Sequence, residues 1–399
     1  MKILILSNKL PYPPKDGGSI ATLNMLTGLR DAGNQLTCLS LNTSKHRYPI
    51  EDIPSEIGET IRFMGVACDT SIKPLRMLLN LLFTKQPYIA ERFKTQPYKE
   101  ALSELLHQES FDVIQLEGPD VGPYADLIRK TSTSTLSLRT HNVEHLIWKK
   151  KALSETSFLK RWYLKNMASR LERFEMKVVH QTDCMVPISP TDEAYFKNRG
   201  YTRPVLTIPT GLSIDAYPKT PIPTEPTLFF IGALDWLPNQ EGLEWFMDKV
   251  FDQVTKKVPG LSFHVAGRNA PKKFETKLRH PKIVYHGEVN DACRFMQKYR
   301  VMVVPLLTGS GIRIKILEGM ALGRPVVTTQ TGIEGIPVGN IESVKVSDDP
   351  YTFANHVVDL LDLKKDTSQI ASDSRNLIIE NFDTFSLSTR LSQFFKTQV

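Results

Sequence analysis

Cysteine is scarce in this chain: Cys38, Cys68, Cys184 and Cys293 are the only four in 399 residues, and none stands at a paired spacing. Neither a disulfide framework nor a cysteine-ligated zinc site is supported. Also missing is any run of the ~18 uncharged apolar residues that a membrane span requires. The apolar start at residues 3–7 is too short for a secretory signal and reads as a first buried strand. These absences lead to the expectation of a cytoplasmic protein. No Asp-x-Asp triplet occurs, so a metal-dependent diphosphate clamp built on one is disfavoured. Low-complexity tracts and short internal repeats are absent too.

What remains is an ordinary globular composition, 41% apolar and 23% charged, with length for two domains. Strand-like and helix-like segments alternate: a strand at 3–7, a helix at 18–33, then strands at 35–41, 113–116, 135–139 and 184–188. The second half repeats the pattern with strands at 227–231, 262–266, 282–286 and 301–305. Such alternation predicts an α/β chain with parallel sheets and crossover helices. Between the halves, Pro218, Pro221, Pro223 and Pro226 disfavour both helix and central strand. The expected domains are therefore 1–208 and 227–381, with a linker at 209–226 and a last helix in 382–399.

The net charge of +7 is uneven: residues 1–210 hold 28 Lys+Arg against 22 Asp+Glu, leaving 22 against 21 elsewhere. Most of the surplus lies in residues 149–177. There Lys149, Lys150, Lys151, Lys160, Arg161, Lys165, Arg170, Arg173 and Lys177 meet three acidic residues, with Trp148, Phe158, Trp162, Tyr163 and Phe174 interleaved. Two readings stand: a solvated helix face, or a surface resting on anionic lipid headgroups. Nucleic acid is not an expected partner, because no binding motif accompanies the charge. The apolar, helix-like run at 74–83 has two readings as well, burial in a core or contact with lipid.

The densest signal is Gly309-Ser310-Gly311-Ile312-Arg313-Ile314-Lys315-Ile316-Leu317-Glu318, which follows a buried-strand pattern at 301–307. A glycine loop opening a helix offers free N–H groups and a positive dipole end, which suits a phosphate. At helical spacing Gly311, Lys315 and Glu318 share a face. A phosphate near Gly311 and Lys315 leaves Glu318 about two turns away, roughly 10 Å at 1.5 Å per residue, the reach from a diphosphate to a ribose. An ordinary strand–loop–helix of an α/β core is the other reading.

This segment resembles the donor-site signature of retaining glycosyltransferases of family 4, the "group 1" enzymes. The resemblance implies the GT-B fold, two Rossmann-like domains with parallel sheets facing across a cleft. That family usually carries two glutamates eight positions apart; here Glu318 matches the second and Ser310 stands at the first. It also usually has Arg and Lys on the loop after the first strand of the C-terminal domain, where this chain has Ala233 and Asn239. A diphosphate leaving group needs positive charge, so Arg313 and Lys315 are expected to supply it from the helix instead.

The resemblance further implies a nucleotide-diphosphate sugar as co-substrate, no other cofactor and no metal. The acceptor would be a growing surface glycan or lipid-linked sugar at the inner membrane face. Ser310, Gly311, Ile312, Arg313 and Lys315 would hold the donor diphosphate and Glu318 the ribose, while Val289 matches the loop that clasps the base. Arg268 follows a predicted strand and faces either phosphate or solvent; Trp236 packs under the base or seals the domain joint.

In the first half, Asp16-Gly17-Gly18-Ser19 opens a helix where backbone can approach a ligand closely. Its spacing is not Gly-x-Gly-x-x-Gly, and no acidic residue clearly ends the second strand, which counts against a dinucleotide oxidoreductase. The family sets Gly17 and Gly18 against the donor phosphate. The run Arg139-Thr140-His141-Asn142-Val143-Glu144-His145 follows a strand, where ligands of α/β folds collect. His141 matches the family histidine beside the transferred sugar; a hydrogen-bonded core histidine is the alternative. A metal pair of His141 and His145 lacks a third ligand. With Lys315 and Glu318, His141 completes the expected catalytic set, and Asp16, Glu117 and Asn142 are candidates for the acceptor. Two rivals share the scaffold: a non-catalytic sugar-nucleotide or glycan binder, and a sugar-nucleotide epimerase.

Overall fold

Two parallel sheets of six strands each carry the chain in this computed structural model, which describes residues 1–44, 47–309, 311–339, 341–362 and 367–399. The first comprises β1 (Lys2–Ser7), β2 (Gln35–Thr43), β3 (Arg62–Cys68), β4 (Val113–Glu117), β5 (Thr135–Thr140) and β6 (Cys184–Pro187), in the order β3-β2-β1-β4-β5-β6. The second comprises β7 (Thr227–Ile231), β8 (Ser262–Ala266), β9 (Ile283–Tyr285), β10 (Val301–Val304), β11 (Val326–Thr328) and β12 (Val344–Val346), in the order β12-β11-β10-β7-β8-β9. Both have the Rossmann order, with the strand order reversing between the first and fourth strands of each sheet. Those pairs are β1/β4 and β7/β10.

Central strands such as β1 and β4 are buried almost throughout, as a sheet covered by helices on both faces demands. Three strands, β3, β11 and β12, go beyond those the sequence pattern indicates. β3 and β12 are edges and β11 has only three residues, so none needs a long apolar run.

Contacts divide the chain into Met1–Gly211 with Thr384–Val399, and Leu212–Asp383. Most of the proline-rich stretch expected as a linker is built into the second unit. Ile222 is buried, Arg300 Nη1 donates to Pro223 O at 3.0 Å, and Arg324 Nη1 donates to Pro221 O at 3.0 Å. Buried guanidinium groups need acceptors, and a loop of prolines supplies carbonyls.

In the first unit, helix Gly17–Asp31 packs on helix Thr384–Lys396 through a core cluster that includes Leu23, Leu26, Leu387 and Leu391. Gly28 permits this approach: a Cβ there would lie 2.2 Å from Ser388 Oγ and 2.7 Å from Thr384 Cγ2. Gly28→Ala is expected to lower stability by about 2 kcal/mol through overpacking. A urea midpoint equal to wild type would show that the two helices are not so closely packed.

Candidate active site

Each unit gathers charged groups at its own switch point. In the first, residues at the carboxyl ends of β1, β4 and β5 line a cavity of about 160 Å³ that includes Lys9, Gly18, Glu117, Asp120, His141 and Glu144. Glu117 ends β4 and is 4% exposed. Its Oε1 accepts from Arg139 Nη1 at 2.6 Å and Thr22 Oγ1 at 3.2 Å, and lies 2.7 Å from His141 Nε2. Burial acts to raise the Glu117 carboxyl, but Arg139 and His141 outweigh it and hold it down at about 2. Glu144 goes the other way: burial first, then the Asp120, Glu175 and Asp192 carboxylates, push it up to about 8. A carboxylate at β4 and a protonated carboxyl at Glu144 thus face one cavity at neutral pH.

Three expected residues are placed differently. Asp16 caps the helix, accepting from Ser19 N at 2.9 Å, and takes Lys9 Nζ at 2.6 and 2.7 Å. Both oxygens thus serve the fold, which weakens the acceptor assignment. Gly17 and Asn142 do not line the cavity, whereas Gly18 does. His145 is fully buried between Glu175 and Tyr195 and does not converge on His141. Lys9, Thr22, Asp120 and Glu144 join the site without having been singled out by sequence. Glu144 lies inside the His141 motif, yet only burial distinguishes it from a solvated glutamate.

In the second unit, Lys315 Nζ donates to Asn239 Oδ1 at 3.0 Å and sits 4.3 Å from the centroid of the Phe230 ring. Asn239 is 2% exposed, and its Nδ2 donates to Ala233 O at 2.7 Å. The two positions that lack the family's cations therefore form the seat of Lys315. Gly232 leaves the room, since a Cβ there would lie 2.4 Å from Lys315 Nζ. Burial, then the neighbouring Arg313 charge, push the Lys315 ammonium down to about 7, with Glu318 opposing. Arg313 lies 5.8 Å from the Trp236 ring, so Trp236 packs on a site cation. Glu318 Oε1 accepts from Tyr217 Oη at 2.9 Å. Burial raises the Glu318 carboxyl, while Tyr217 and Lys315 act to lower it.

The helix here is Ile314–Ala321 with Arg313 as its cap, so it opens later than Gly311. Gly309 at φ 118° and Gly311 at φ 83° occupy left-handed backbone, which keeps the preceding segment a loop. Lys315 and Glu318 still share a helical face, whereas Gly311 and Ile312 stand in that loop; Ser310 lies outside the described residues. Ile312 and Val289 pack against the same apolar cluster as Tyr217. Among the described residues no hydrogen bond or ion pair ties the Arg268 side chain to this group; its carbonyl accepts from Leu234 N at 2.9 Å. Tyr217 is the residue sequence reasoning passed over, since it sits in the stretch expected as linker.

Residues 225–363 match the family model described as "Glycosyl transferases group 1". With the two Rossmann-ordered sheets, this gives the chain the GT-B fold and a second unit that resembles the group 1 glycosyltransferases. Sucrose-phosphate synthase from Thermosynechococcus elongatus is similar in structure with a TM-score of 0.69 at 16% identity, covering 100% of this chain and 99% of that one. HepE of Anabaena, solved in complex with UDP and glucose, gives a TM-score of 0.69 at 14% identity, with 100% of both chains covered. At such identities the likeness is one of fold. In sequence, an uncharacterized 44.6 kDa protein in the cps region of Klebsiella pneumoniae is 23% identical, covering 96% of this chain and 97% of that protein.

Proposed function

We propose that this chain moves a sugar from a nucleotide-diphosphate donor to a glycan or lipid-linked acceptor, with retention, in surface polysaccharide synthesis. The observation that carries this reading is the Lys315 ammonium seated on Asn239, one helical turn from the Tyr217–Glu318 pair. Arg313 and Lys315 hold the diphosphate and stabilise the charge that develops on the leaving group. They supply that charge without a metal. Glu318, oriented by Tyr217, accepts from ribose hydroxyls. In the first unit, the cavity receives the sugar and acceptor: His141 is oriented by Glu117, and protonated Glu144 donates to an acceptor oxygen. The bound UDP of HepE makes a uridine nucleotide the first donor to try. The cps-region relative supports a polysaccharide context.

The test is thermal shift with UDP-, GDP-, ADP- and CMP-sugars on wild type and Glu318→Ala. One nucleotide at about 100 times its Kd should stabilise wild type by about 2.7 kcal/mol by mass action. The variant should lose most of that shift. No response to any donor would sink this reading and favour a glycan-binding role.

A further inference from the structure

Helix Pro74–Phe83 is inside out. Its buried residue is Asn80, whereas Leu75, Leu78, Leu79, Leu82 and Phe83 are 45–78% exposed. Core packing, one of the two sequence readings for this run, is therefore not what forms. Polar groups anchor the helix at its C-terminal end. Arg170 donates to the carbonyls of Asn80, Leu81 and Thr84 at 3.1, 2.8 and 2.9 Å, and Asn80 Nδ2 donates to Gln86 O at 3.2 Å.

Arg170 belongs to helix Phe158–Gln181, whose first turns are equally bare: Phe158 is 77% exposed, Leu159 75% and Trp162 54%. Leu159, Tyr163 and Arg170 recur at helical spacing, so the anchor and this apolar turn lie along one side of the long helix. An amphipathic helix in water turns its apolar stripe to the core. Two neighbouring segments that turn it outward leave a face with a missing partner.

Charge says what that partner is. Residues 70–90 contain Lys73, Arg76 and Lys85 and no acidic residue; residues 149–165 contain Lys149, Lys150, Lys151, Lys160, Arg161 and Lys165 against Glu155. A second copy would meet this basic patch with its own, because two-fold interfaces pair a patch with itself. Among the described residues no helix is long and apolar enough to cross a membrane. Apolar and aromatic side chains rimmed by lysine and arginine match the boundary between headgroups and acyl chains. We infer that this face docks on an anionic lipid bilayer, with Leu82, Phe83, Phe158, Leu159 and Trp162 at the acyl boundary and the basic residues on headgroup phosphates. The inference deepens the proposed function, in which a lipid-linked acceptor gives docking its purpose, but the docking does not depend on donor chemistry.

The experiment is flotation of the full chain with vesicles of phosphatidylcholine alone, or with about one third phosphatidylglycerol. Wild type should float with the anionic vesicles only, and less so in high salt. The exposed pairs Leu82→Ser/Phe83→Ser and Leu159→Ser/Trp162→Ser should each weaken partitioning by about tenfold or more. Lys150→Gln/Lys151→Gln/Lys160→Gln should weaken it by about fivefold per lysine. Equal binding to both vesicles, no binding to either, or serine variants that float like wild type would overturn the inference. So would a wild-type dimer in sedimentation that the serine pairs abolish, since a second copy would then be the occupant. Glu318→Ala should float normally, so a failed donor reading and a failed docking surface give different results.

Discussion

Lys315→Met is expected to lower turnover by about 10³-fold without lowering the melting temperature at pH 7. The two effects share one cause. Lys315 is held where burial and Arg313 disfavour its charge, at about 7 against an ordinary 10.5. Between those values the unfolded chain binds more protons than the folded one, so this lysine's contribution to stability is least favourable below pH 7 and improves as pH rises toward 10.5. Methionine removes that penalty and leaves Asn239 Oδ1 without its donor, which costs about 1–3 kcal/mol. Relative to wild type, the variant should therefore look most stable near pH 7 and lose ground as pH approaches 10. Activity moves oppositely, because the same charge is what a departing diphosphate needs. Donor affinity of wild type should fall as pH rises above 7, and that of the variant should stay flat. A variant that melts several degrees lower at pH 7, with turnover lost in proportion, would make Lys315 a structural residue and remove the central argument for the donor site.

Glu117→Gln should destabilise the first unit by about 3–5 kcal/mol, the usual result of stranding a buried charge. Arg139 is 1% exposed, and its Nη1 donates to Glu117 Oε1 at 2.6 Å. Glutamine of the same shape keeps the hydrogen bond but not the charge. The wild-type contribution has a defined pH window. The folded carboxyl is held at about 2, below its ordinary 4.5, so the stabilisation is complete above 4.5 and is lost as pH falls toward 2. Urea midpoints from pH 7 to 3 should converge between wild type and variant as acid removes what the mutation has already removed. Replacing both members, as Glu117→Gln/Arg139→Met, should recover much of the loss. A parallel pair of curves would mean that the ion pair contributes little.

Architecture was the most legible part. Apolar runs placed nine of the strands, because a parallel strand covered on both faces must be nearly all apolar, and that demand is local. β3 and β12 escaped because edge strands are under no such demand, and β11 because three residues give too short a run. At the second switch point, the loop glycines and the Lys315–Glu318 spacing could be read directly from helical geometry and left-handed backbone needs.

What charge would do at these positions could not be read. Lys315 is 76 residues from the asparagine that seats it, and Tyr217 is 101 residues from Glu318. Asp16 and Glu117 looked alike as loop carboxylates, yet one caps a helix and the other binds a buried arginine. The proline-rich stretch reads as a spacer in sequence, whereas in the fold its carbonyls accept from the guanidinium groups of Arg300 and Arg324. By itself, then, the sequence determined the two Rossmann-like halves and the chemistry available at their strand ends. Only the tertiary structure decided which groups are charged, which are partnered, and that an apolar helix faces outward. Periodicity acts over a few residues, whereas desolvation and pairing are set by whichever distant segments fold around a group.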